Sequence, residues 1–381
     1  MDLQFLKKYF LNYKVLAVIY LLSSFIFFIP NLIERSYNNY LIFSSAFSIL
    51  KNHDNLYALH PEYAWDYFRY TPTFAVLMAP FSFLPDYIGV CLWNALNAMV
   101  LFFGVKSVFK DEEQKGSFVL WIIFIELITS IQNSQVNALV AGTMLLAYSG
   151  FRDKKIIRTS FFVLLNLFLK IYGFAVAIFF LLYPKKGKFI FSSAIFFIVF
   201  FSLPLIFIST GELKQQYQSD FNSMQGLTAA LSIMSLVKTW FDLDFNFLWM
   251  QVPALLLMML PVVFLCTHTN EKLKFLFIAS LMMFVVSFNQ MAESPTYIIG
   301  VTGAALWFVN SEKNKLNISL FVLLMLFTCL APTDLYPKFL RDDFFEPYKI
   351  KAFPLFLVWV KVQFEIWEII VRDPKLFFQT I

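Results

Sequence analysis

The chain has 381 residues, of which 59% are hydrophobic, 20% aromatic and only 14% charged, with a formal net charge of +5. A soluble domain of this length needs roughly a quarter of its residues charged to cover its surface, so a soluble globular fold is excluded, in keeping with a mean hydropathy of +0.68. The positive charge requires no nucleic-acid partner, because Lys and Arg gather in short loops between apolar runs.

Apolar runs of about 15 to 22 residues recur along the chain, the pattern of a polytopic all-α membrane protein, and the alternation of a barrel strand is missing. The first run, residues 15–33, follows Lys7, Lys8 and Lys14. It has no small-residue cleavage site and exceeds a signal-peptide core, which predicts a retained membrane helix. Next comes NYLIFSSAFSILK, where Phe43, Ala46, Phe47 and Leu50 recur at helical spacing and Ser44, Ser48 and Lys51 occupy another face. That spacing predicts an amphipathic helix on the membrane surface, with Asn39 as its N-cap.

The stretch NHDNLYALHPEYAWDYFRYTP, residues 52–72, holds His53, His60, Asp54, Glu62, Asp66 and Arg69 among Tyr57, Tyr63, Trp65, Tyr67 and Tyr70. Aromatic rings stack on the apolar faces of sugars or lipids, and a carboxylate among them can take a proton from an incoming hydroxyl. An interfacial aromatic belt with solvated charges has the same composition. His53 and His60 lack metal-ligand spacing, so no metal site is expected. Residues 71–105 carry Pro72, Pro80 and Pro85, which predicts a surface helix up to residue 84 and one span over 87–106.

In WIIFIELITSIQNSQVNAL, Glu126 is followed by Gln132, Asn133, Gln135 and Asn137. These groups either satisfy one another between helices or line a wet cavity. Residues 157–183 lie between RDKKIIR and KKGK, and a single crossing would put one basic loop outside. A short helical hairpin is therefore expected, turning near LKIYG, where Gly173 gives backbone freedom. Lys170 within it costs about 2.5 to 3.5 kcal/mol in mid-bilayer, so it needs a cavity or a partner: a lipid-linked phosphate, Glu126, or the interface itself by snorkelling.

Glu293, in FNQMAESPTY, ends a run just before Ser294-Pro295, with Ser294 expected as the next cap. In PTDLYPKFLRDDFFEPYKIK, Lys338 and Arg341 could bind phosphate and Asp342 or Asp343 a sugar hydroxyl, or the loop is simply solvated. Lys361, Glu365, Glu368 and Arg372 fall on one helical face and predict a salt-bridged stripe. Cys91, Cys266 and Cys329 have no ligand spacing, and neither a Gly-rich phosphate loop nor a GxSxG elbow occurs. Sorting loops by Lys and Arg puts both termini in the cytoplasm, with long outward loops over residues 30–85 and 210–247, in a single domain spanning 1–381 with about 12 helices. No repeated halves, the mark of many transporters, are visible.

The order LYALHPEYAWDYFRYTPTFAVLMAPFSFLP, WNALN, SQVNAL and LKIYG, concentrated in residues 38–184, resembles glycosyltransferase family 87, polyprenyl-phosphate-sugar-dependent enzymes of the GT-C fold. The resemblance implies an outward cavity, a polyprenyl-phosphate sugar donor, a glycan or glycolipid acceptor, and a carboxylate base for inverting transfer without an obligatory metal or other cofactor. It departs from the family at four places. The family acid falls on Asn39, whose amide cannot act as a base. The family Gly-Gln is Ser134-Gln135, its Tyr-Pro is Tyr172-Gly173, and Asn289-Gln290 stands where related enzymes carry a His.

The expectation is thus a hexosyltransferase, with mannose one candidate sugar, on the outer face of a bacterial cytoplasmic membrane. Asp54, Glu293 and Asp66, in that order, are candidate bases, and Lys170, Arg69 and Arg341 candidate donor-phosphate ligands. Asn39, Tyr57, Trp65, Tyr70, Gln135 and Asn137 are candidate sugar or acceptor contacts. A lipid-glycan flippase and a non-catalytic descendant of such an enzyme are the alternatives.

Overall fold

The computed structural model describes residues 9–223 and 231–372, and among them the regular structure is helical, with no strand. Lys7 and Lys8, residues 224–230 within the second long loop, and the tail past Arg372 lie outside the described residues. Among the described residues, five helical stretches are long and apolar enough to cross a membrane: Tyr13–Glu34, Asp86–Val108, Glu113–Gln132, Lys186–Ile206 and Leu248–Thr267. The chain divides into two compact units, residues 1–227 and 228–381.

In the first unit, α1 (Tyr13–Ile26) starts where Asn12 Oδ1 accepts the amide of Lys14 at 2.8 Å. After a short helix at Ile29–Glu34, α2 covers Asn38–Lys51. The four apolar positions expected to face inward are buried, but so are Ile42, Ile49 and Ser44. Protein therefore covers α2 on several sides, because Ile42 and Ile49 extend the apolar surface beyond one stripe. Thr71 caps α3 (Pro72–Leu77) and Pro72 supplies its preset first-turn φ. One further short turn, Ala79–Ser82, precedes α4 (Asp86–Val108), as the prolines require.

Helix α5 (Glu113–Gln132) leads into α6 (Asn137–Arg152), whose residues from Asn137 to Phe151 are all buried. Glycine permits this burial: a Cβ on Gly142 would lie 2.5 Å from the carbonyl of Val100, and one on Gly104 2.6 Å from the carbonyl of Gly142. Backbone-to-backbone approach of this kind is the usual packing solution where lipid removes the hydrophobic drive between helices. Arg152 ends the pair by donating to the carbonyls of Val108 (2.6 Å) and Ser107 (2.8 Å), which the α4 terminus leaves open. The expected hairpin follows: α7 (Ile156–Leu169) breaks at Lys170, and a tight 3₁₀ helix, Ile171–Leu182, packs against it. Then come α8 (Lys186–Ser202) and the polar helix α9 (Thr210–Ser223).

The second unit contains α10 (Ile233–Phe241), α11 (Leu248–Thr267), α12 (Glu271–Ser287), α13 (Tyr297–Asn310), α14 (Lys315–Leu324) and α15 (Ala352–Val371). Helices α12 and α13 approach closely at Gly303, where a Cβ would meet the carbonyl of Ala279 at 2.4 Å. The charged stripe of α15 forms as expected, with Lys361 on Glu365 at 2.9 Å and Arg372 on Glu368 at 2.6 Å.

Candidate active site

Three stretches distant in sequence meet at the end of α7. The backbone turns extended at Lys170, with φ −152° and ψ 123°, which stops the helix and carries the side chain toward the start of α6. Lys170 Nζ donates to Asn137 Oδ1 at 3.3 Å, and the Tyr172 hydroxyl donates to the same oxygen at 2.6 Å. The ammonium stands 5.2 Å from the centre of the Tyr70 ring and 5.6 Å from that of Tyr172. Tyr70 in turn donates to Gln135 Oε1 at 3.2 Å. An amide oxygen and two ring faces thus orient the cation through dipoles and quadrupoles. Buried Asn137 keeps its amide N–H donors spare, because its Nδ2 has no hydrogen-bond partner among the described residues. An unsatisfied buried donor costs about 1 to 3 kcal/mol, which a bound acceptor oxygen would recover.

The turn between α5 and α6 aims Gln135 and Asn137. Ser134 has φ 49°, a left-handed conformation, and its carbonyl accepts Trp93 Nε1 from α4 at 2.9 Å. Asn39, expected to cap α2, lies inside that helix instead, with Tyr37 in the cap position. Both amides there are engaged sideways: Asn39 Nδ2 donates to the Asn133 carbonyl at 2.9 Å, and Asn38 Oδ1 accepts the amide of Trp65 at 3.1 Å. Asn39 therefore ties α2 to the turn that carries Gln135.

The other sequence candidates of the first unit make contacts of their own. Tyr57 is buried and donates to the Tyr70 carbonyl at 2.8 Å, so it buttresses Tyr70. Trp65 is 78% exposed, with its face available for stacking. Arg69 and Asp66 pair with each other at 3.3 Å, so each already has an opposite charge beside it. Asp54 presents an exposed side chain, and its carbonyl accepts Gln216 Nε2 at 2.7 Å. His53 Nδ1 bonds Glu212 at 2.8 Å and His60 Nδ1 bonds Glu62 at 2.9 Å. Burial opposes a charge on His60, yet the Asn55 carbonyl and the Glu62 carboxylate outweigh it and hold its pKa above the ordinary value.

In the second unit, Glu293 is exposed and takes the cap position expected of Ser294, its amide donating to Thr296 Oγ1 at 3.2 Å. Ser294 is occupied elsewhere, accepting Lys351 Nζ at 3.0 Å. Arg341 is ion-paired to Asp334 at 2.7 Å.

One group of residues was missed. Glu212, Gln216 and Asp220 recur at four-residue intervals and so share one face of α9. Glu212 takes His53, and Gln216 accepts the amide of Leu56 at 3.1 Å while binding Asp54. Asp220 is 8% exposed, and burial pushes its carboxyl up to about 6. Burial raises the Tyr57 phenol as well, with the charges of Asp220 and Tyr217 adding to the effect. The spacing was readable in GELKQQYQSD; the partners, some 160 residues earlier, were not.

The model of glycosyltransferase family 87 matches residues 68–287, more than half of the chain. The chain belongs to glycosyltransferase family 87. No curated protein matches it. The family 87 match takes in Tyr70, Gln135, Asn137, Lys170, Tyr172 and α9, and leaves out Asn39, Asp54, Asp66, Glu293 and Arg341. It starts and ends later than the resemblance visible in the motifs. As a family 87 glycosyltransferase with membrane-length helices, the protein binds a sugar donor and an acceptor at the bilayer. At Gly173 an added Cβ would meet Asn166 Oδ1 at 2.6 Å and Val140 Cγ1 at 2.9 Å.

Proposed function

We propose that the protein transfers a hexose from a polyprenyl-phosphate donor to a glycan or glycolipid on the outer face of a bacterial cytoplasmic membrane, working as a single GT-C-like domain of about 12 helices with both termini cytoplasmic. The observation that supports it most is the meeting of Tyr70, Gln135, Asn137 and Tyr172 around Lys170. Lys170 receives the donor phosphate, and the spare Asn137 donor adds a second contact to its oxygens. Trp65 and Tyr70 border the sugar.

A carboxylate removes the acceptor hydroxyl proton as the oxygen attacks the anomeric carbon from the face opposite the phosphate. The bond from that carbon to the phosphate oxygen breaks, configuration inverts, and polyprenyl phosphate leaves with one more negative charge on its phosphate. Lys170 stabilises that growing charge, so no metal is obligatory. Asp54 is the first candidate base, since its side chain is exposed beside the aromatic loop; Glu293 is second, and Asp66, paired to Arg69, third. Arg69 and Arg341 are supplementary phosphate ligands that would first exchange their carboxylate partners.

Vesicles carrying the protein and a lipid-phosphate sugar with labelled polyprenol test this reading. Release of free polyprenyl phosphate together with sugar on the acceptor is expected, with loss of both in Asp54→Asn. Full activity in Asp54→Asn and Glu293→Gln would remove both leading bases. Movement of intact donor across the bilayer without release would identify a flippase, and neither event a non-catalytic descendant.

A further inference from the structure

At the opposite end of α7 from Lys170, about 20 Å away along a 14-residue helix, a groove of about 1180 Å³ runs between α7 and α8. Its mouth carries Lys154, Lys155, Arg158 and Lys188, and no acidic residue lines it. Arg158 is anchored, its Nη2 donating to Ser149 Oγ at 3.1 Å. Among the described residues none of these four cations is ion-paired. The neighbouring carboxylate of Asp153 is taken by Arg152 at 3.1 Å and Lys110 at 3.5 Å. Below the mouth the walls are apolar, formed by Phe161, Phe162, Phe191 and Phe196. At Gly187 an added Cβ would meet nothing within 4 Å, so the mouth is open there.

We propose that this groove binds an anionic phospholipid of the surrounding bilayer, its headgroup phosphate held by the four cations and an acyl chain lying along the phenylalanine wall. Four uncompensated positive charges above an apolar channel match an anion attached to a hydrocarbon chain. A soluble anion leaves the channel without a partner, and a zwitterionic headgroup brings its own ammonium among the cations. The site is separate from the Lys170 cluster, and its occupant is a fixed lipid rather than the sugar donor.

Native mass spectrometry of the full chain, released from detergent with phosphatidylglycerol, phosphatidylcholine or polyprenyl phosphate, tests the assignment. Phosphatidylglycerol should be retained over phosphatidylcholine, and retention should fall about fivefold for each of Lys154, Lys155 and Lys188 replaced by Gln. Gly187→Trp, which fills the mouth and leaves every charge in place, should lower it as well; Lys315→Gln, in the other unit, should not. Each variant is compared only as a monodisperse sample. Equal retention of the two phospholipids overturns the proposal. So does a charge effect with no effect of Gly187→Trp, which would mean a diffuse basic surface, and so does stronger retention of polyprenyl phosphate, which would make the groove a substrate channel.

Discussion

At the scale of single residues, Lys170 and Asn137 carry the account. An ammonium is a compact charge with three rotatable donors, whereas a guanidinium is a planar fork. Lys170→Arg should therefore keep part of the activity and Lys170→Met almost none. Asn137→Asp should raise KM for the donor more than it lowers kcat, because a carboxylate at that position competes with the phosphate for the same ammonium; steady-state kinetics at varied donor concentration would reveal the split. Ser134 is different in kind: it holds a left-handed φ of 49° and its buried Oγ has no partner among the described residues. Ser134→Gly should raise stability by about 1 kcal/mol, read as a higher thermal midpoint in detergent. Lys170 stood out in the sequence because a charge in an apolar run demands a reason. Asn39 misled as a cap because an amide can satisfy its own helix or reach sideways, and only the fold decides which.

At the scale of elements, the contact between α9 and residues 53–57 is what orders the loop beside Tyr70. Gln216 bonds that loop twice, so Gln216→Ala should cost about 1 to 3 kcal/mol locally and appear as faster amide exchange over residues 53–58. The same contact is pH-dependent through Asp220. Its folded pKa of about 6 lies above the ordinary 3.8, so the stability it lends is fully present below pH 3.8 and is lost as pH rises through 6. Protection of the loop should weaken between about pH 4 and pH 6 in the natural protein, by an amount on the order of 2 to 3 kcal/mol, and Asp220→Asn should flatten that dependence. The break of α7 at Lys170 was legible, since two basic loops on either side left no other threading. The α9 latch was not, since a stripe of Glu, Gln and Asp on a polar helix reads equally as a solvated face until the distant loop is seen against it.

At the scale of the whole molecule, composition alone fixed a membrane protein, and five helices of spanning length agree with it. The motif order pointed to family 87 before any geometry, and the family match over residues 68–287 bears that out. What the motifs could not convey is that three of them share one ammonium, because the residues that do so come from the loop before α3, the turn into α6 and the end of α7, and meet only in the fold. The most direct test of the account is single-turnover release of polyprenyl phosphate from a labelled polyprenyl-phosphate hexose in vesicles. The protein should release it, and Lys170→Met should slow release by about a hundredfold or more while the sample stays folded. Release by Lys170→Met at the natural rate would contradict the account.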